Sequence, residues 1–206
     1  MLLFFDFDGT IADSLDTAIL VLNEIGHEYQ LPIFTKEEIL SHKGKSISEI
    51  IQITGMKYWQ IPSFLMRARA VFYEYMLQVQ PFPEMLTILQ QLADNEHELV
   101  ILTSNAEKNV RFFLEKHQVS AFSEIYAPSF IFGKSSVIKK VMKQKKYTPE
   151  TCWMIGDEER DVLAAHKAGV NSVAVSWGFN DKTLLKKANP THLLDSPSAL
   201  LSLFLR

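Results

Sequence analysis

The sequence of 206 residues has one cysteine, no long apolar run and little net charge. The single cysteine, Cys152, excludes an intramolecular disulfide and is typical of a protein in a reducing compartment. No apolar run approaches the roughly 20 residues that a membrane-spanning helix needs. The short apolar run at the N-terminus is broken by Asp6, which argues against a signal peptide. These absences predict a cytoplasmic protein without a membrane partner.

The charges are nearly balanced, with 24 acidic and 21 basic residues and a net charge of −3. This balance gives no overall attraction to nucleic acid. The local basic cluster is spaced as on the exposed face of an amphipathic helix, so we predict no nucleic-acid partner. The members of this basic cluster are Lys139, Lys140, Lys143, Lys145 and Lys146. The sequence predicts no particular oligomeric state.

Short apolar segments alternate along the chain with segments whose apolar residues have helical spacing. This alternation predicts an α/β fold with a Rossmann-like parallel sheet and helices on both faces. The first segment is apolar at successive positions, which is typical of a strand buried on both faces. The predicted strands are residues 2–7, 98–104, 124–128, 152–157, 172–177 and 191–195.

Residues 14–80 interrupt this alternation, because apolar residues recur there at helical spacing without a strand pattern. Thr35 and Glu38 have the spacing of a capping box, and Pro81 and Pro83 end the helical region. We therefore predict an all-helical cap domain over residues 14–80, inserted into a core of residues 1–13 and 81–206. The cap would cover the carboxyl end of the first strand, where open α/β sheets bind ligands.

The motif "DFDGT" at residues 6–10 places two acids at the end of the first strand. Asp6 and Asp8 point to the same side of a strand, so their charges would repel unless a cation or a proton lay between them. Carboxylate oxygens are the ligands that Mg²⁺ prefers. Gly9 would allow a sharp turn and a close approach to a ligand. The motif therefore predicts a metal site, although Asp8-Gly9 alone is also typical of a simple turn.

Polar residues follow the other predicted strands as well. Since the carboxyl ends of parallel strands lie at one edge of the sheet, we expect these side chains to converge with Asp6 and Asp8. Each has an alternative structural role, in a loop, a turn, a helix cap or on the surface. The residues are Thr103, Ser104 and Asn105 after the second strand, Lys134 at the predicted start of a helix, and Asp157 and Asp161 after the fourth strand.

These residue types together suit phosphoryl transfer. A carboxylate can attack phosphorus, and a second, protonated carboxylate can donate to the leaving alcohol and then activate water. A divalent cation offsets the repulsion between the nucleophile and the phosphate, and an ammonium and a hydroxyl bind the non-bridging oxygens. Asp157 could contact the metal, and Asp161 could hold a metal-bound water or orient Lys134.

The four motifs in this order resemble those of the haloacid dehalogenase superfamily, in particular its phosphoglycolate-phosphatase-like branch. The resemblance covers most of the chain, and residues 14–80 occupy the place of that family's small helical cap. Glu84, after "PFP", stands where the family often has glycine, which predicts a stiffer hinge with intact catalysis. The motifs are "DFDGT" at 6–10, "ILTSN" at 101–105, "GK" at 133–134 and "GDEERD" at 156–161.

The resemblance implies a role for each of these residues. Asp6 would be the nucleophile and Asp8 the general acid and base. Mg²⁺ would be bound by Asp6, the backbone carbonyl of Asp8, and Asp157, with Asp161 at or near the metal. Ser104 would be the hydroxyl of the second motif, with Thr103 as the competing choice, and Lys134 the lysine of the third. The residues that would bind the substrate are Gly9, Thr10, Asn105 and Lys134.

The predicted function is Mg²⁺-dependent hydrolysis of a small phosphate ester through an aspartyl-phosphate, with phosphoglycolate as one candidate. A phosphosugar mutase would use the same residues, with "HKGKS" at 42–46 holding a sugar phosphate. A dehalogenase has no need for the acid Asp8, and a non-catalytic phosphate-binding module has no need for both acids. Specificity would come from the cap, where the candidates for binding an anionic leaving group are His42, Lys43, Lys45 and Arg67, although an ordinary surface charge is the more common role of each residue type.

Overall fold

Six parallel strands form the central sheet in a computed structural model, which describes residues 1–45, 47–128 and 133–205. Two further short strands pair with each other outside this sheet. The order across the large sheet is β5-β4-β1-β6-β7-β8. The strands are β1 (Leu2–Phe5), β2 (Ala12–Asp13), β3 (Gln80–Pro81), β4 (Glu98–Leu102), β5 (Phe122–Tyr126), β6 (Cys152–Gly156), β7 (Asn171–Val175) and β8 (His192–Leu194).

Each of the six predicted strands overlaps a strand of the large sheet. β1 lies at the centre, where Leu2 pairs with Glu98 on one side and with Cys152 on the other. All four residues of β1 are buried, as the continuous apolar run predicted. The sheet therefore brings the segments that follow β1, β4 and β6 to the same edge.

Helices cover both faces of the sheet, as predicted. Leu3 and Phe5 belong to one buried cluster and Leu2 and Phe4 to another, because alternate residues of a strand point to opposite faces. The helices are α1 (Leu15–Gly26), α2 (Lys36–Ser41), α3 (Ile47–Thr54), α4 (Ile61–Tyr75), α5 (Met85–Asp94), α6 (Glu107–Lys116), α7 (Lys134–Gln144), α8 (Glu159–Ala168), α9 (Lys182–Lys187) and α10 (Ala199–Phe204), with short 3₁₀ helices at His27–Tyr29, Tyr58–Gln60 and Pro149–Thr151.

The basic cluster lies on α7 and the turn that follows it. Lys139, Lys140, Lys143 and Lys146 are exposed, as expected for the wet face of an amphipathic helix. Lys145 differs, because its ammonium lies 2.6 Å from a carboxylate oxygen of Glu98 and also pairs with Glu124. Over the described parts of the chain, every helix is too short or too polar to cross a bilayer.

The segment between β2 and β3 contains α1 to α4, and no strand lies in its described residues, 14–45 and 47–79. The capping box at the start of α2 is formed as predicted, because Thr35 and Glu38 each accept a hydrogen bond from the other's backbone N–H. β2 and β3 run antiparallel, with Ala12 opposite Pro81, so the segment begins and ends at neighbouring points. We propose that residues 14–80 are the cap and residues 1–13 and 81–206 the core.

Glu84 precedes α5 with a φ of +64°, in the left-handed region that favours glycine. A glutamate in this conformation carries a steric cost of about 1–2 kcal/mol. This backbone conformation gives a physical reason for glycine at this position in the family that the sequence resembles. The predicted stiffness of the hinge stays a prediction.

Candidate active site

Asp6 directly follows β1 and lies at the centre of the site. Its backbone N–H donates to the carbonyl of Ile155 at 2.8 Å, which continues the pairing of β1 with β6. Its carboxylate is 2% exposed. One oxygen accepts a hydrogen bond from the backbone N–H of Phe7 at 2.8 Å, and the other lies 2.7 Å from the ammonium of Lys134. Backbone and ammonium together fix the orientation of this carboxylate.

Lys134 is the first residue of α7, as predicted, and its side chain is as deeply buried as that of Asp6. Its ammonium lies between two carboxylates, 2.7 Å from Asp6 and 2.6 Å from Asp161. Burial alone would lower the pKa of Lys134, but the charges of Asp161 and Asp6 outweigh it and raise that pKa above its usual value. Lys134 is therefore a cation, and it contacts Asp161, as an orienting role of Asp161 would require; that role stays a prediction.

Three carboxylates form a buried acidic cluster, which consists of Asp6, Asp157 and Asp161. One oxygen from each lies within 4.8 Å of the other two. Burial, followed by the charges of Glu158, Asp6 and Asp161, raises the pKa of Asp157 well above its usual value, and burial raises that of Asp161 to about 6. One ammonium cannot balance three carboxylates, so the cluster has the charge and the hard oxygen donors that suit a divalent cation.

Gly9 and Thr10 hold Asp157 in place. Gly9 has a φ of +74°, and a side chain there would bring a Cβ to 2.1 Å from a carboxylate oxygen of Asp157. The Thr10 hydroxyl donates to Asp157 at 2.8 Å, and the backbone N–H of Phe179 donates to its other oxygen at 2.7 Å. Gly9 makes the predicted sharp turn, but the atoms that approach it closely belong to Asp157. Contacts of Gly9 and Thr10 with a substrate stay predictions.

Asp8 lies in a different environment from Asp6, although only one residue separates them. One carboxylate oxygen accepts a hydrogen bond from the Ser14 hydroxyl at 2.8 Å and the other from the side-chain amide of Asn105 at 2.9 Å. Burial, with a further contribution from the charge of Asp6, raises the pKa of Asp8 to about 6. The Asp8 carboxylate is not a member of the acidic cluster. A metal contact through its backbone carbonyl stays a prediction.

The segment after β4 contains both candidates for the hydroxyl of the second motif. Thr103 is fully buried, and its hydroxyl accepts a hydrogen bond from the backbone N–H of Asn105 at 3.0 Å. Ser104 is half-buried, and its hydroxyl accepts one from Arg160 at 3.2 Å. Since Ser104 and Asn105 line a cavity together with Asp8, Ser104 is the better placed of the two for contact with a ligand.

Four residues of the site were not predicted from the sequence, namely Ser14, Arg69, Asn109 and Arg160. The side-chain amide of Asn109 donates to Asn105 at 2.8 Å and to the backbone carbonyl of Arg69 at 3.1 Å, so it links α6 to α4. No local pattern marks Ser14, Arg69 or Asn109, because their contacts with the site arise only from tertiary packing. For Arg160 the sequence did contain a signal, because this residue lies within "GDEERD", directly before Asp161.

The cap residues predicted to bind an anionic leaving group lie apart from Asp8. His42, Lys43 and Lys45 line a second, larger cavity of about 280 Å³. Lys43 also docks on the core, since its ammonium donates to the carbonyl of Gly178 at 2.7 Å. Arg67 is exposed and forms an ion pair with Glu28 at 3.2 Å. The smaller cavity, of about 150 Å³, is the one that Asp8, Ser104, Asn105, Arg69 and Arg160 line.

Comparison with known proteins agrees with this geometry. The model of the haloacid dehalogenase-like hydrolase family matches residues 3–175. A phosphoglycolate phosphatase from Synechococcus elongatus is 33% identical over 198 residues, which cover 96% of this chain and 93% of that protein. The pyrophosphatase PpaX from Bacillus mycoides is 22% identical over 208 residues, which cover 98% of this chain and 95% of that protein.

The fold also matches solved structures. The crystal structure of a "predicted phosphatase" from Clostridium acetobutylicum superposes with a TM-score of 0.84 and 21% identity, and the match covers 99% of this chain and 97% of that one. At this identity the likeness concerns the fold, and the sequence match carries the family assignment. The chain therefore belongs to the haloacid dehalogenase-like hydrolase family and is one of its phosphatases.

Proposed function

We propose that this protein hydrolyses a small phosphate monoester through an aspartyl-phosphate formed on Asp6. The observation that carries the proposal is the contrast between the two acids of "DFDGT". Asp6 is ion-paired with Lys134 inside the acidic cluster, whereas Asp8 lies outside that cluster with a pKa raised to about 6. Two carboxylates in such different environments suit two different roles.

Asp6 is the proposed nucleophile because its carboxylate is paired with the Lys134 ammonium and held in one orientation by the backbone N–H of Phe7. One of its oxygens attacks phosphorus, the phosphorus–oxygen bond to the leaving group breaks, and the leaving oxygen takes a proton from Asp8. Asp8, now ionised, removes a proton from water. That water attacks the phosphorus of the aspartyl-phosphate, which releases phosphate and regenerates Asp6.

Asp8 suits this double role because its protonated form is accessible near neutral pH. A general acid and base works best when its pKa lies near the working pH. Hydrogen bonds from Ser14 and Asn105 to its two oxygens hold the carboxylate in one orientation. The link from Asn105 through Asn109 to the backbone of Arg69 connects this orientation to α4 of the cap segment.

The acidic cluster is the proposed site for Mg²⁺. The buried carboxylates of Asp6, Asp157 and Asp161 carry more negative charge than the Lys134 ammonium balances, and they would hold a hard dication. When bound, the ion would supply charge neutralisation between the phosphate and the nucleophile. Thr10 and Phe179 orient Asp157, and Lys134 orients Asp6 and Asp161.

Phosphoglycolate is the first substrate to test, because the relative with 33% identity is a phosphoglycolate phosphatase. The mutase alternative placed a sugar phosphate near "HKGKS". In the described part of that motif, Lys43 contacts Gly178 and the backbone N–H of Asp181 donates to the Lys43 carbonyl at 3.0 Å, so this turn docks on the core. No specific contact of the described residues favours the mutase over the hydrolase.

The aspartyl-phosphate is tested by rapid quenching during turnover, followed by reduction with borohydride. Reduction of an acyl phosphate yields an alcohol, so peptide mass spectrometry should detect homoserine at position 6. The D6N variant should fold, lack turnover and give no homoserine. Full activity of D6N, or homoserine at another aspartate, would refute the assignment.

A further inference from the structure

Arg69, on α4, reaches from the cap segment to the core. Its Nε donates to the backbone carbonyl of Ser104 at 2.8 Å, and one terminal nitrogen, Nη2, donates to the same oxygen. Nη2 also donates to the carbonyl of Pro128 at 3.3 Å. The other terminal nitrogen, Nη1, has no hydrogen-bond partner among residues 1–45, 47–128 and 133–205. Two nitrogens of the Arg69 guanidinium are therefore held by backbone carbonyls, and the third, Nη1, can donate a hydrogen bond to a ligand.

Among the residues that the structure describes, no carboxylate balances the positive charge of Arg69. Its partners are backbone carbonyls, and within the described parts of the chain no acid lies within ion-pair distance of it. Arg160, on the other side of the same cavity, differs because Glu158 forms an ion pair with it. A half-buried guanidinium without a counter-ion is costly unless an anion joins it in the working state. Burial also lowers the pKa of Arg69, consistent with this imbalance.

The cavity beside Arg69 is also the cavity beside Asp8. Its volume is about 150 Å³, and Ser104 and Phe72 contribute to its walls. In the proposed mechanism Asp8 protonates the leaving oxygen, so the leaving group must lie next to Asp8. A leaving group in this cavity would therefore be in reach of Arg69. The small volume, against about 300–1,000 Å³ for pockets that hold drug-sized ligands, suits a leaving group of few atoms.

We propose that Arg69 is the specificity-determining residue, which binds a second anionic group carried by the leaving group. This inference rests on the proposed function and deepens it. The substrate class is then a small phosphate ester or anhydride whose leaving group bears a negative charge, as a carboxylate or as a second phosphate. Arg67, which the sequence offered for this role, lies two positions earlier, pairs with Glu28 and is 46% exposed.

The test compares R69Q and R69K with the matched control R67Q on the same helix. Steady-state kinetics with Mg²⁺ would use 2-phosphoglycolate, pyrophosphate and ethyl phosphate, which carry a carboxylate, a second phosphate and no second charge. For R69Q we expect kcat/KM on the charged substrate to fall about 10- to 100-fold, the range of a lost charge-assisted hydrogen bond, with most of the effect in KM. Its kcat/KM on ethyl phosphate should fall by a clearly smaller factor, because that substrate lacks the second anionic group that Arg69 would bind.

The controls separate recognition from structure. R69K should lose less than R69Q on the charged substrate, and R67Q should match wild type on all three substrates. If R69Q lost activity equally on charged and neutral substrates, Arg69 would only dock α4 on the core and the inference would be refuted. A wild-type-like R69Q would refute it as well. Whichever of phosphoglycolate and pyrophosphate is affected more identifies the anionic group.

Two further outcomes decide the inference when R69Q does not fold. In that case the wild-type protein provides the measurement, and a preference below about threefold for charged over neutral substrates refutes the role of Arg69. A preference of tenfold or more, together with competitive inhibition by glycolate or phosphate but not by ethanol, supports it. An absence of turnover on all three substrates refutes the proposed function itself, and the inference with it.

Discussion

Replacing Lys134 by methionine would remove the ammonium that lies between two buried carboxylates while keeping the length of the side chain. The side chain is 2% exposed, and its ammonium lies 2.7 Å from Asp6 and 2.6 Å from Asp161. Loss of one partner from a buried ion pair costs about 3–5 kcal/mol, because it leaves an uncompensated charge in the interior. We expect K134M to lower the free energy of unfolding by about this amount at pH 7.5, with EDTA present.

The cost must depend on pH in a definite direction. The pKa of Asp161 is about 6 even with Lys134 present, and removing the cation raises it further. A carboxylate whose pKa is raised by folding stabilises the protein when protonated, and this contribution is lost as pH rises from the unfolded value, 3.8, through the folded one. The deficit of K134M should therefore shrink to about 2 kcal/mol or less at pH 5.5 and grow towards pH 8.

The assay is urea unfolding followed by tryptophan fluorescence, at several pH values, with and without Mg²⁺. K140M on the same helix is the control, because Lys140 is exposed and its loss should change stability by no more than about 0.5 kcal/mol. Mg²⁺ should stabilise K134M, since a dication in the acidic cluster replaces the missing charge. A K134M protein as stable as K140M at pH 7.5, or a deficit independent of pH, would refute this account of the site.

Three further predictions concern the acid, the hydroxyl and the hinge. The kcat/KM for an alkyl phosphate should fall as pH rises above about 6, because Asp8 then loses its proton. D8N should lower this kcat/KM by about 10²–10⁴-fold but cause a much smaller loss on an aryl phosphate, whose leaving group needs no proton. Similar losses on both substrates would contradict the acid role of Asp8. S104A should lower kcat/KM by about 10²-fold and T103A by less than about tenfold, because Ser104 lines the cavity beside Asp8. A larger loss in T103A than in S104A would show that Thr103 is the hydroxyl that binds the phosphate. E84G should raise the free energy of unfolding by about 0.5–1 kcal/mol, because glycine relieves the left-handed strain at φ +64°, and an unchanged urea midpoint would show that Glu84 is not strained.

The sequence predicted the sheet well because its central strands are buried on both faces and are apolar at successive positions. β1 and β6 are examples, and even the short edge strand β8 was found from its apolar residues. The two residues each of β2 and β3 were not predicted, because so short a pairing has no period of its own. Their pairing depends on the rest of the chain bringing them together.

The convergence of Asp6, Lys134, Asp157 and Asp161 was predictable because parallel strands end at one edge of a sheet. The contacts that give each acid its environment were not. Ser14 and Asn105 hold Asp8, and Thr10 holds Asp157, through tertiary packing that leaves no mark in the local sequence. Arg69 and Arg67 occupy the same helix and differ in surroundings only because α4 turns one of them to the core.

The antiparallel pairing of β2 with β3 has a consequence for how the protein could change over time. The helical segment leaves the sheet edge at Asp13 and returns beside it at Gln80. Because entry and exit are neighbours, recombination could exchange or resize that segment while the strand register and the acidic residues remained in place. Proteins with this topology could therefore acquire new substrates by replacing the helical segment while they kept the same acidic residues.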